Sequence, residues 1–194
     1  MYTKLLAYEI RSRLVADARS FGAFVAVIAV AAGIVAAGLP GISGSTVMLA
    51  YALCALTPAA CAIAALADYW KTLYGQRGYF TMSLPISGTV IFWAKITRIV
   101  IECLLALALA VGGIIAVAAA AAWSDGISLA EYTAGPRSLV AGMPTSTVVI
   151  MIALQIVLSM SWIVQGCAVM TIGAEGRFNH MGFGAPIIGF VLLY

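Results

Sequence analysis

The stretch TVIFWAKITRIVIECLLALALAVGGIIAVAAAAAW, Thr89 to Trp123, decides the class of fold. A helix rises about 1.5 Å per residue, so roughly 20 apolar residues cross the hydrocarbon core of a bilayer. No water is present there to satisfy backbone N–H and C=O groups, so only a helix or a closed barrel can make the crossing. Three further runs share this character: Phe21 to Leu39, Val47 to Ala67 and Thr145 to Gly173. A fifth, Phe183 to Tyr194, would reach about 18 Å as a helix, short of the roughly 30 Å needed. No charged residue follows it, and it is expected to be the start of a truncated fifth span.

Composition agrees. Of 194 residues, 64% are apolar and 9% charged, where a soluble domain carries about 25% charged residues. Too few polar side chains remain to cover a water-facing surface. A disordered chain, a nucleic-acid-binding tail and a small disulfide scaffold are excluded on the same ground. Ala, Gly, Val and Leu dominate the runs, and small residues let helix backbones approach closely in lipid. The expected fold is all-α: one polytopic membrane helical bundle over residues 1–194, with the lipid bilayer as its solvent and no nucleic-acid partner.

The basic residues orient the bundle. Lys4, Arg11, Arg13 and Arg19 precede the first run; Lys71 and Arg77 lie between the second and third; Lys95 and Arg98 open the third; Arg177 follows the fourth. Only Arg137 falls on the other side. The positive-inside rule then predicts a multi-pass protein of the cell membrane with its N-terminus in the cytoplasm. Pro40 to Thr46 and Ser124 to Pro144 are expected outside. The first run is no signal peptide, because further spans follow it and no small-residue cleavage pattern ends it.

Residues 1–20 are expected to form an amphipathic helix at the cytoplasmic interface. Leu6, Ile10 and Leu14 recur on one face, and Glu9, Arg13 and Asp17 on another. The alternative is a cytoplasmic extension of the first span.

Between the second and third spans runs DYWKTLYGQRGYFTMSLPISGTVIFWAKI, Asp68 to Ile96. It is too long for a tight hairpin and too aromatic for a solvated linker. Gly75 and Gly78 allow a sharp break. Pro85 disfavours helix at Leu84, and Ser87 offers an N-cap for the third span. A short cytoplasmic helix, a turn and a return to the membrane are expected over 68–88. The exposed rings suit docking to another protein; an interfacial aromatic belt is the equal alternative.

Here the chain resembles a family. Gly75-x-x-Gly78-Tyr79-Phe80, then Leu84-Pro85-Ile86-Ser87 and Ala94-Lys95, is similar to the permease subunits of ABC-2-type ATP-binding cassette transporters. The opening Lys4 to Arg11 looks like that family's N-terminal interfacial helix. The resemblance covers about Met1 to Arg98, and beyond that rests on the pattern of spans. It implies a six-span half-transporter that forms the substrate pathway of an exporter, pairs with a second permease half (the same chain or another) and works with cytoplasmic ATPase subunits. Residues 68–88 would then be the cytoplasmic coupling segment, with the coupling helix around Tyr69 to Ser83. Tyr69, Trp70, Tyr74, Arg77, Tyr79 and Phe80 would meet the ATPase, which would bind ATP and Mg; this chain is expected to hold no cofactor.

The chain is not expected to be an enzyme. It has no Gly-x-x-x-x-Gly-Lys-Ser/Thr, and the glycine-rich Gly41 to Thr46 lacks the lysine. His180 is the one histidine and has no second ligand at helical spacing, so no metal site is expected. No serine has a His or Lys partner in the sequence pattern. Cys54, Cys61, Cys103 and Cys167 all fall in spans and read as small hydrophobes. Glu102 is the one acid clearly inside a span, and Arg98 one turn earlier can pair with it. Gln155, Ser159 and Trp162 share a face of the fourth span. With Glu102 they are the candidate pathway residues, helix–helix hydrogen bonding being the plainer role. Pro58 should kink the second span. The alternative function is a small membrane scaffold or ion-pathway subunit without ATPase coupling, with Glu102 as its polar element.

Overall fold

The computed structural model describes residues 2–38, 43–75, 78, 83, 86–174, 184, 188–189 and 191. Among them are six helices: α1 (Tyr2–Ala36), α2 (Ser43–Leu73), α3 (Gly88–Ser124), α4 (Leu129–Tyr132), α5 (Ala134–Ala141) and α6 (Thr145–Gly173). Four of them, α1, α2, α3 and α6, are long and apolar enough to cross a membrane. The fold is all-helical among the described residues, and the four helices contain the four expected spans, α1 ending at Ala36 rather than Leu39.

The first 20 residues form no separate element. α1 runs unbroken for 35 residues, so the extension reading describes its geometry. Glu9, Arg13 and Asp17 of its polar face are half-buried, as are Leu6 and Ile10 of the apolar one, while Leu14 and Val15 are exposed. α2 likewise continues past Ala67 to Leu73; Gly78 is again helical, and most of the rest of the segment expected to form the short cytoplasmic helix lies outside the described residues. Pro58 lies inside α2. The neighbouring Thr57 hydroxyl donates to the Leu53 carbonyl at 3.0 Å, as hydroxyls in lipid-embedded helices do near a proline.

Helix ends follow local rules. Gly126, at φ +68°, closes α3: Ile127 N–H donates to the Ala122 carbonyl and Gly126 N–H to Trp123, the 6→1 and 5→2 pattern that a left-handed residue permits. Ser128 then caps α4, its Oγ accepting from Glu131 N–H at 3.2 Å.

The described residues divide into two compact units. One comprises those of Met1–Ser12, Ala62–Glu102 and Gln155–Tyr194. Its core holds Ala65, Tyr69 and Leu73 of α2, Ile91, Ala94, Ile96 and Ile99 of α3, and Ile163 and Cys167 of α6. The other comprises those of Arg13–Cys61 and Cys103–Leu154. Its core is Ile28 and Val35 of α1, Ala50 and Cys54 of α2, and Val117 and Ala121 of α3. A Cβ on Gly113 would lie 2.9 Å from Cys54 Sγ and 3.1 Å from Ile28 Cδ1. The missing side chain is what lets these three helices close.

Candidate functional site

The first unit carries the chemistry. On α3, Lys95, Arg98 and Glu102 follow at intervals of three and four residues and therefore share a face. On α2, Asp68 and Thr72 share another. Lys95 Nζ donates to Glu9 Oε1 of α1 at 3.0 Å and to Thr72 Oγ1 at 3.1 Å. Arg98 Nη1 donates to Glu102 Oε1 at 2.6 Å, and Nη2 to Asp68 Oδ2 at 3.1 Å. The Thr72 hydroxyl in turn donates to the Asp68 carbonyl at 2.9 Å. One network thus joins three helices.

It is enclosed. Lys95 and Arg98 are each 4% exposed and Glu102 8%. Burying such charges costs several kcal/mol per ion unless they are paired and hydrogen-bonded, which is how the geometry treats them. Arg98 Nε is a buried donor with no partner, so the guanidinium spends its two Nη groups on carboxylates and leaves the third donor position unfilled. Arg98 does not extend to the surface, as a lone arginine near a helix end would; it turns inward between two acids.

Two hydroxyl pairs brace the same unit. Tyr2 and Thr97 hydroxyls lie 2.6 Å apart. Tyr69 and Thr171 hydroxyls lie 2.9 Å apart, joining α2 to α6. A Cβ on Gly166 of α6 would meet Leu66 at 3.1 Å.

Of the residues expected at a partner interface, Tyr69 is 1% exposed and packs inward. Trp70 and Tyr74 are half-buried, with ring centroids 5.2 Å apart. The Tyr74 ring also meets Tyr69 edge-on at 6.3 Å. Arg77, Tyr79 and Phe80 lie outside the described residues, as do His180 and most of the expected fifth span. Of the candidate pathway residues, Glu102 sits in the ionic network. Gln155 and Trp162 are exposed and Ser159 is half-buried. The Ser159 hydroxyl donates to the Gln155 carbonyl at 2.8 Å, a bond within the helix. The network does not include these three.

Glu9, Asp68 and Thr72 are the members that sequence reasoning did not place. For two of them a signal existed. Asp68 and Arg98, like Thr72 and Lys95, are nearly equidistant from residue 83, so a simple antiparallel hairpin pairs them. Glu9 had no such signal. Among the described residues no cluster of three His, Cys, Asp or Glu could hold a metal ion, and none of the four cysteines is in a disulfide.

No family model, curated protein or solved structure matches the chain.

Proposed function

We propose that this chain is the membrane-spanning half of an ABC-2-type ATP-driven exporter. It sits in the cell membrane with its N-terminus in the cytoplasm. It works with a separate cytoplasmic ATPase, which supplies ATP and Mg chemistry, and with a second permease half. The observation that carries this reading is the ionic network at the base of the α2–α3 loop. Arg98–Asp68 and Lys95–Thr72 tie the two helices that the loop joins, and Lys95–Glu9 adds the start of α1. A push on a loop whose flanks are tied moves those flanks together instead of being absorbed between them.

Further support comes from position. From Cys103 to Trp123 the chain carries no charge, which as a helix is about 30 Å, the thickness of the hydrocarbon core. The network then lies at the end of α3 where the basic residues gather, the cytoplasmic side by the positive-inside rule. Trp70 and Tyr74 offer part of their ring surface beside the loop, and Arg77, Tyr79 and Phe80 belong to the same aromatic segment; Tyr and Arg are the residue types that anchor interfaces. Tyr69 supports this surface from within. Glu102 fits the ion-pathway alternative less well, because its carboxylate is engaged by Arg98.

The test is co-purification from membranes. Replacing Tyr74 and Arg77 by Ala should lower the amount of ATPase retained, with the chain still inserted at its normal level. Full retention in the double variant would overturn the coupling assignment.

A further inference from the structure

We infer that α5 lies in the headgroup layer of the bilayer, at the end of α3 away from the ionic network, with its apolar face in the acyl region. Leu139, Val140 and Met143 follow Pro136 at three, four and seven residues, the spacing that sets all four on one side of a helix. Gly142 keeps a right-handed helical backbone, and Met143 N–H donates to the Val140 carbonyl at 3.0 Å, so Met143 holds to that side just past the end of α5. Arg137 and Ser138 fall on the other side. All four apolar residues are exposed.

The tethers of α5 say what covers this face. Thr145, the first residue of α6, stands four residues beyond Ala141, so the end of α5 lies within about 14 Å of the start of a membrane-spanning helix. Before α5, Tyr132 packs against the core that α1, α2 and α3 share. Both ends are thus held at the depth where spans begin and end. Pro144 keeps α5 from running on into α6, which leaves α5 a separate element beside the span ends. Exposed apolar surface also continues on either side of it, through Trp123 of α3 and Val149 and Ile150 of α6. A helix at this depth buries its apolar face at the boundary of headgroups and acyl chains. Arg137, on its flank, has the length to reach a lipid phosphate while its stem stays apolar. Seated in this way, α5 fixes the depth of α6 from the side. The inference needs only that α3 and α6 span the bilayer, not the exporter assignment or an ATPase.

The experiment uses the full chain in phosphatidylcholine nanodiscs, where both membrane faces are open to reagents, with the four native cysteines replaced. A water-soluble maleimide should alkylate Val140→Cys about fivefold or more slowly than Ser138→Cys, because only the first sits among acyl chains. With an environment-sensitive fluorophore on each cysteine, lipid brominated on the acyl carbons nearest the headgroup should quench the label at 140 strongly and the label at 138 weakly. Adding Leu139→Ser and Met143→Ser to the Val140→Cys chain should bring its alkylation rate up to that of Ser138→Cys. These side chains are exposed and outside both cores, so the bundle itself is left intact. Equal alkylation at the two positions would put the face in water and overturn the inference. Slow alkylation at 140 without quenching by brominated lipid would mean that protein covers the face, and a rate unmoved by the two serines would mean that the apolar side chains do not seat it; either result overturns the inference as well.

Discussion

The two units of this chain are built from the same helices by opposite means. In one, α2 and α3 are held by buried charge: two cations set among three carboxylates and a threonine hydroxyl. In the other, α1, α2 and α3 meet over alanine, cysteine, valine and isoleucine, with Gly113 at the closest point. Close packing of small residues suits a helix pair in lipid, where no hydrophobic effect drives helices together and contact distance decides the gain. Buried charge gains little net stability over apolar packing, and it penalises heavily any arrangement in which a partner is missing. One unit is therefore tolerant of small adjustments; the other is held to one geometry.

Breaking the contrast begins with Arg98→Ala. It strands Asp68 and Glu102 together in a buried site and should cost about 3–5 kcal/mol, read as a large fall in the unfolding midpoint in detergent. Adding Asp68→Asn and Glu102→Gln should recover most of the loss. A cost below about 1 kcal/mol would mean that water reaches the network and that the two units do not differ in kind. Next in size is Gly113→Ala, which forces Cys54 and Ile28 aside and should cost about 1–3 kcal/mol. Its neighbour Gly112 has open space where a Cβ would stand, so Gly112→Ala should be neutral or stabilising by up to about 1 kcal/mol. The same loss at both positions would remove the close approach as the cause.

Glu102→Gln sharpens the comparison further. The amide keeps an acceptor for Arg98 and is less costly to bury than a carboxylate, so the change should cost about 1 kcal/mol and leave expression intact. In the exporter complex proposed above, transport-linked ATP hydrolysis should persist if Glu102 serves the network alone, and fall sharply if it also lines the route of substrate. The smallest effect belongs to Gly166→Ala. The new methyl meets the mobile end of Leu66 at 3.1 Å, which can rotate away, so the cost should stay below about 1 kcal/mol, measured by the same detergent melt.

What could be read in the sequence followed from local rules. α3 and α6 begin and end within a residue of the expected limits, because long apolar runs terminate sharply at Ser87, Ser124 and Pro144. The Arg98–Glu102 pair was legible because it is one turn long. The continuity of α1 was legible only as the alternative reading, although no proline separates the amphipathic stretch from the apolar one and Gly22 is tolerated within a helix. The inward face of Tyr69 was also hidden: an aromatic near a membrane surface favours the interface by composition alone, and only the hydroxyl of Thr171, 102 positions away, turns it inward. Glu9 meets Lys95 across 86 positions, a contact that depends on how α1 docks and on nothing local to either residue.

The shortest bond of the ionic network bears on biogenesis. Arg98 and Glu102 belong to one helix, one turn apart, so they can neutralise each other as soon as that helix forms. Asp68 and Glu9 lie earlier in the chain and are reached only once helices associate. An arginine costs about 2.5–3.5 kcal/mol at the centre of an inserting helix on the translocon scale and less toward the end, where Arg98 lies; a partner carried on the same helix offsets part of that cost at the moment of insertion, before any neighbour has docked. Association then exchanges a self-contained ion pair for a shared one. α3 therefore leaves the translocon already carrying the counter-charge for its own arginine, and Asp68 is needed only later, when the helices assemble side by side.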